Sequence, residues 1–155
     1  MMGDKMLHRK LPSAYAKICG GRGYPQIIGH INFFQGQDGL VIEAEVFGLP
    51  NSDSGFFGFH IHEEGDCRGE GFPNAGAHFN PGGTHHPRHA GDLPPLLSDH
   101  GKAYMKVYTD RFHIGEIIGR SVIIHSAPDD FRSQPAGNSG EKIACGVIRD
   151  LRHLR

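Results

Sequence analysis

In the segment LVIEAEVFG at residues 40–48, Leu40, Ile42, Ala44 and Val46 fall on one face of an extended strand and Glu43 and Glu45 on the other. That period of two recurs along the chain in short runs: AYAKIC at 14–19, QIIGHINFFQ at 26–35, FFGFHIH at 56–62, KAYMKVYT at 102–109, GRSVIIHS at 119–126 and KIACGVIR at 142–149. Between 35 and 40 the QDG tripeptide supplies an Asp-Gly hairpin signal. Twenty-three glycines and ten prolines punctuate the runs, and no stretch carries a good amphipathic helical period. A chain of 155 residues built this way is an antiparallel sandwich or barrel with one core. Residues 13–155 are expected to form a single domain, and residues 1–12 a mobile tail.

The second constraint is chemical. His60 and His62 sit at i and i+2, so a strand turns both to the same face. From 63 to 101 the chain is dense in Gly, Pro and His and reads as loop. A structureless stretch of that length inside a compact domain is usually functional. It carries His78, His86, His89 and Asp92, and His125 follows at the end of the apolar run SVIIH. Six imidazoles and one carboxylate are enough for two metals side by side. Imidazole suits copper and zinc, and a lone carboxylate is compatible with zinc. Magnesium and calcium want oxygen ligands and would not be held this way. The strand pair and His125 can serve one ion, and the loop can fold around the other.

Composition excludes several classes. The formal net charge is −1, there is no basic run or aromatic-basic motif, and a nucleic-acid partner is not expected. No apolar stretch is long enough to cross a membrane. The opening MMGDKMLHRKLPSAYAKI has charges and no continuous apolar segment of the secretory kind. The expected compartment is therefore the cytoplasm, with secretion or the periplasm the alternative if a leader has been removed. Of the three cysteines, Cys67 and Cys145 could bridge, closing a loop of about 78 residues worth roughly 4.5 kcal/mol on the chain-entropy model. Three reduced thiols in a cytosolic protein is the competing reading. Cys19 is unpaired in either case.

Five segments together resemble the copper/zinc superoxide dismutases: GFHIHEEGDC at 58–67, AGAHFNP at 75–81, HAGDLP at 89–94, IIGRSVIIH at 117–125 and GNSGEKIACGVI at 137–148. They occur in family order, and the likeness runs over roughly residues 14 to 149. The resemblance implies an eight-stranded antiparallel Greek-key β-barrel, an immunoglobulin-like sandwich in architecture, with two long loops over the metals. It implies one copper per subunit on His60, His62, His78 and His125. It implies one zinc on His78, His86, His89 and Asp92, with His78 shared as the bridging imidazolate. It also implies a Cys67–Cys145 disulfide. The five-residue step from His62 to Cys67 looks like the bacterial members. The implied function is that of an antioxidant enzyme: superoxide is dismutated to oxygen and hydrogen peroxide, with His78 carrying a proton.

Further assignments follow from the resemblance. Asp129, four residues after His125, is expected to accept from His60 and His86, while Asp130 fits an exposed loop position. Lys142 stands where the family usually has an arginine that guides superoxide. It keeps the charge and loses the planar fork of donors. Arg132 is a lesser steering candidate, and Arg120 looks structural. His86, eight residues after His78, is preferred to His85 as a zinc ligand. His8, His30, His100, His113 and His153 match no ligand position. The family includes monomers and homodimers built through different surfaces, and the sequence does not choose between them.

Overall fold

A computed structural model describes residues 11–154. The first ten residues of the expected tail therefore lie outside the described residues. Strands β1 (Ala14–Gly20), β2 (Ile28–Gln35) and β3 (Leu40–Phe47) form a meander in which the period of two is obeyed: Ala14, Ala16 and Ile18, then Ile31 and Phe33, then Leu40, Ile42, Ala44 and Val46 are buried. The hairpin turn falls on Gln37 and Asp38, closed by the Gly36 N–H donating to the Gly39 carbonyl at 2.7 Å. Each fully buried Ile, Leu or Phe side chain on these strands contributes about 1.5–3 kcal/mol from its removal from water.

The run at 56–62 expected as one strand breaks at Gly58 into β4 (Phe56–Phe57) and β5 (Phe59–His62). The later elements are β6 (Leu96–Leu97), β7 (Ala103–Thr109), a single helical turn α1 (Ile114–Ile117), β8 (Ser121–His125) and β9 (Lys142–Asp150). Seven strands form one antiparallel sheet in the order β5-β8-β9-β1-β2-β3-β7, and β4 pairs with β6 in a small second sheet. With β6 lying against β7, this short pair helps the large sheet curl onto itself. Against the eight expected strands there are nine among the described residues, seven in the curled sheet and two in the β4–β6 pair, one expected run having broken at Gly58 into β4 and β5. The β6 segment falls inside what reads as loop, because a two-residue strand is too short to show a period.

Non-consecutive neighbours such as β3–β7 and β1–β9 mark the crossovers that carry the chain between ends of the sheet. The long segments following β5 and β8 contain the histidine-rich loop and the loop with Asp129. Among the described residues no helix is long and apolar enough to cross a membrane, which says nothing of β-barrel spans.

Candidate metal centre

β5 is the foundation of the site. Its four residues are all buried: Phe59 and Ile61 belong to the hydrophobic core, and His60 and His62 are at most 1% exposed. The histidine-rich segment then runs back along the edge of β5 through main-chain bonds. The Phe79 N–H donates to the Ile61 carbonyl at 2.8 Å, and the Ile61 N–H donates to the Gly91 carbonyl at 2.8 Å. Position 91 must be glycine: a Cβ there would lie 2.4 Å from the Ile61 carbonyl oxygen. This zipper sets His78 opposite His62 and Asp92 opposite His60 as antiparallel bridges. On the other edge β8 pairs with β5, and a register shift between Ile124 and His125 marks where the last histidine leaves the regular ladder.

Two clusters result. In the first, His60, His62, His78 and His125 each offer a ring nitrogen, all within 4.8 Å of one another. In the second, His78, His86, His89 and Asp92 do the same, so His78 belongs to both. All seven side chains are buried, and His85 is exposed beside them.

Hydrogen bonds fix which face each ring presents. His62 Nδ1 donates to the Gly76 carbonyl at 2.9 Å, leaving Nε2 bare and 3.2 Å from His125 Nε2. His60 Nε2 meets Asp129 Oδ2 at 2.9 Å and His86 Nε2 meets Asp129 Oδ1 at 2.8 Å, so one carboxylate accepts from both clusters. The opposite ring atoms, His60 Nδ1 and His86 Nδ1, are then buried with no hydrogen-bond partner, as is His78 Nε2. A buried polar atom without a partner costs about 1–3 kcal/mol, so several together call for a ligand.

The donor set fits a metal by distance as well. Four ligands at about 2.0–2.1 Å around a tetrahedral ion lie about 3.3 Å from one another. In the second cluster His78 Nδ1 is 3.3 Å from His89 Nδ1, Asp92 Oδ2 is 3.2 Å from His89 Nδ1, and His86 Nδ1 is 3.0 Å from Asp92 Oδ2 without hydrogen-bond geometry. His78 Nδ1 and Asp92 Oδ1 are closer, at 2.8 Å.

Burial also sets the charge state. It pushes His125 down to about 3 and His62 down to about 2, and it displaces His60 and His89 in the same direction. Burial opposes the charge on Asp129, yet the bonds from His60 and His86 outweigh it and hold the carboxyl well below its usual range. Asp92 is likewise lowered against burial by His78 and its neighbours. Neutral imidazoles and charged carboxylates are the forms that ligate metal. A histidine in the unfolded chain titrates near 6.5. Between that pH and about 3 the unfolded chain binds protons that the folded, metal-free chain refuses, so stability rises with pH over this window. The metal-free protein is expected to show a falling urea midpoint as pH is lowered from about 7 to about 4. A midpoint that does not move would mean that these rings are already charged in the fold.

Other residues of interest fall as follows. Asp130 is half-buried and accepts from the Arg132 and Ser133 main chain at 2.8 Å, while Arg132 is exposed. Arg120 donates to the carbonyls of Glu116 and Glu63 and stacks 4.1 Å over the Phe79 ring, a bracing position. Lys142 is the register partner of His125, is half-buried, and donates to the Phe72 carbonyl at 3.3 Å; burial lowers its pKa. Cys67 and Cys145 form a disulfide that ties the segment after β5 to β9. His30, His100, His113 and His153 lie in neither cluster, and His8 is outside the described residues.

Three contributors escape a sequence reading. Gln134 donates to the His86 carbonyl at 2.7 Å and accepts from the His86 N–H at 2.8 Å, clamping that residue's backbone. The Arg111 guanidinium donates to the carbonyls of Pro87, His89 and Asp92 at 3.1–3.4 Å. Gly137 lies against Asp129 and His86 with φ +68°. The first two act on main-chain atoms, which every residue offers, and so leave no spacing signal.

Comparison with known proteins places the chain in a family. Residues 27–148 match the family described as copper/zinc superoxide dismutase. Superoxide dismutase [Cu-Zn] 2 of Aquifex aeolicus is 36% identical over 151 residues, covering 88% of this chain and 86% of that protein. The human copper chaperone for superoxide dismutase is 35% identical over 161 residues, covering 95% of this chain and 56% of that protein. In three dimensions the chain is similar to a double mutant of a superoxide dismutase-like protein from Bacillus subtilis. The TM-score is 0.77 at 30% identity, covering 87% of this chain and 96% of that one.

Proposed function

This chain belongs to the copper/zinc superoxide dismutase family, and from that premise we propose that its two clusters divide the two metals: copper at His60, His62, His78 and His125, zinc at His78, His86, His89 and Asp92. Its activity is the family's, the dismutation of superoxide to oxygen and hydrogen peroxide. The observation that carries the division is His78, which meets Asp92 through Nδ1 while its buried Nε2 has no partner. Bound copper supplies a one-electron couple that zinc, with its single oxidation state, does not.

The protein's own part is geometry, access and proton handling. Asp129 and the Gly76 carbonyl hold the His60 and His62 rings in one tautomer and orientation, as partners behind metal ligands do. His78 Nε2 can hold a proton within the four-histidine pocket, where product peroxide must acquire one. Lys142 stands at the start of β9 opposite His125 and adds positive potential for a small anion in a chain of net charge −1. Lys142→Glu is expected to slow superoxide decay about tenfold at low ionic strength, with the deficit shrinking as salt is added. An unchanged rate and salt slope would remove Lys142 from a steering role.

The likeness to a copper chaperone supports one competing reading, a copper carrier that does not turn over. Stopped-flow superoxide decay separates the two, using protein loaded one-to-one with copper and zinc against a metal-stripped control. Fast, copper-dependent decay is the expected result, and bound copper without acceleration would favour the carrier. For assembly, a homodimer is proposed, to be read from sedimentation equilibrium. The cytoplasmic compartment is also kept as a proposal, to be weighed by cell fractionation against a disulfide of the kind that persists best in oxidising compartments.

A further inference from the structure

We propose that Cys19 is the nucleophile of an internal thiol–disulfide exchange with the Cys67–Cys145 bridge. Cys19 is free and exposed, and it is not isolated: β1 pairs with β9 so that Cys19 lies directly opposite Cys145. Facing residues of an antiparallel pair project to the same side of the sheet. One cleft on that side is lined by Cys19, Cys67 and Cys145 together with Lys17 and Arg149. Facing Cα atoms in such a pair are about 4.5–5.5 Å apart, inside the span of about 4.4–6.8 Å that disulfides bridge. A Cys19–Cys145 bond therefore keeps the strand register and asks only that the facing Cβ atoms, about 4.5–5.5 Å apart in such pairs, close to the about 3.5–4.5 Å of a disulfide.

The step balances without any oxidant. The Cys19 thiolate donates its electron pair to Cys145 Sγ, and the Cys145–Cys67 bond breaks. The pair leaves on Cys67, which takes up the proton that Cys19 gave up. One disulfide and one thiol exist before and after. Cys145 is the sulfur attacked because it faces Cys19. Cys67 is a suitable leaving group because it is half-buried on a loop and can reach water as it departs. Lys17 and Arg149 place two cations in the cleft where negative charge moves between sulfurs.

Exchange changes what the staple holds. In the present isomer it fastens the segment after β5 to β9; in the other it joins β1 to β9, which the sheet already pairs. The released segment carries the Gly76 carbonyl that orients His62 and the Phe72 carbonyl that receives Lys142. On the reading of that pocket as the copper side, the second isomer loosens one ligand's support and one wall of the approach. Sulfur connectivity itself is independent of that reading.

The test is therefore made on the metal-free full chain. Samples held at about pH 8 are alkylated after increasing times, digested without reduction, and mapped by mass spectrometry. Both alkylated Cys67 and a Cys19–Cys145 peptide are expected to rise with time. Alkylation confined to Cys19 at all times would overturn the proposal. Cys67→Ser, oxidised with glutathione disulfide, is expected to form the Cys19–Cys145 bond; two free thiols in a folded sample would also overturn it. If that variant does not fold, the time course in the unaltered chain decides.

Discussion

Replacing His125 with alanine is expected to drop superoxide turnover at least about 100-fold, toward the metal-free background, while zinc affinity stays within about twofold. The four-histidine cluster loses one ligand, and even partners behind a ligand are worth about 10–100-fold in affinity or activity. The second cluster does not include His125 and shares only His78 with the first. His125 is also 3.2 Å from His62 across the pocket, so the variant leaves a void where both rings converge. Stopped-flow decay and chelator competition for zinc check the two halves separately, with urea unfolding of the metal-free protein confirming the fold. Retained turnover would remove His125 from the copper set. Loss of zinc along with copper would mean that the clusters act as one unit.

A second large effect is expected from Gly137→Ala, although position 137 ligates nothing. Its φ of +68° already disfavours any side chain, and a Cβ would lie 2.0 Å from Asp129 Oδ1 and 2.6 Å from His86 Nε2. Neither neighbour can yield, because both are buried and bonded to each other at 2.8 Å. The carboxylate must shift, and His60 and His86 then lose their common acceptor. Affinity for both metals should fall by about 10–100-fold, since Asp129 bonds one member of each proposed ligand set. Stability should fall by at least about 1–3 kcal/mol from the strained backbone alone. Parallel chelator titrations for copper and zinc measure the coupling. A stability loss with both affinities unchanged would show that Asp129 does not support the metals.

How much of this was legible depended on the range of the signal. Leu40, Ile42, Ala44 and Val46 announce a strand because adjacent residues alternate, and the structure buries that set against solvent-facing Glu43 and Glu45. The Phe56–Phe57 and Leu96–Leu97 pair gives no such notice, since two residues carry no period and their partnership spans a long loop. His60 and His62 reveal a shared face through local geometry alone. His86 was separable from His85 only by family spacing, and the fold separates them by burial.

By itself, then, the amino-acid order determined an antiparallel β architecture, a set of metal-seeking residues and, through family resemblance, the metals expected to bind them. These are readable because strand alternation and ligand type are properties of neighbouring residues. The tertiary structure alone decided how Gln134 grips the His86 backbone, how Arg111 gathers three carbonyls, why residue 137 has no room for a side chain, and that Cys19 faces a disulfide. Each of these arises where distant segments meet. Such meetings depend on register and loop path, and the main-chain atoms that Gln134 and Arg111 hold are the same at almost every position in the chain.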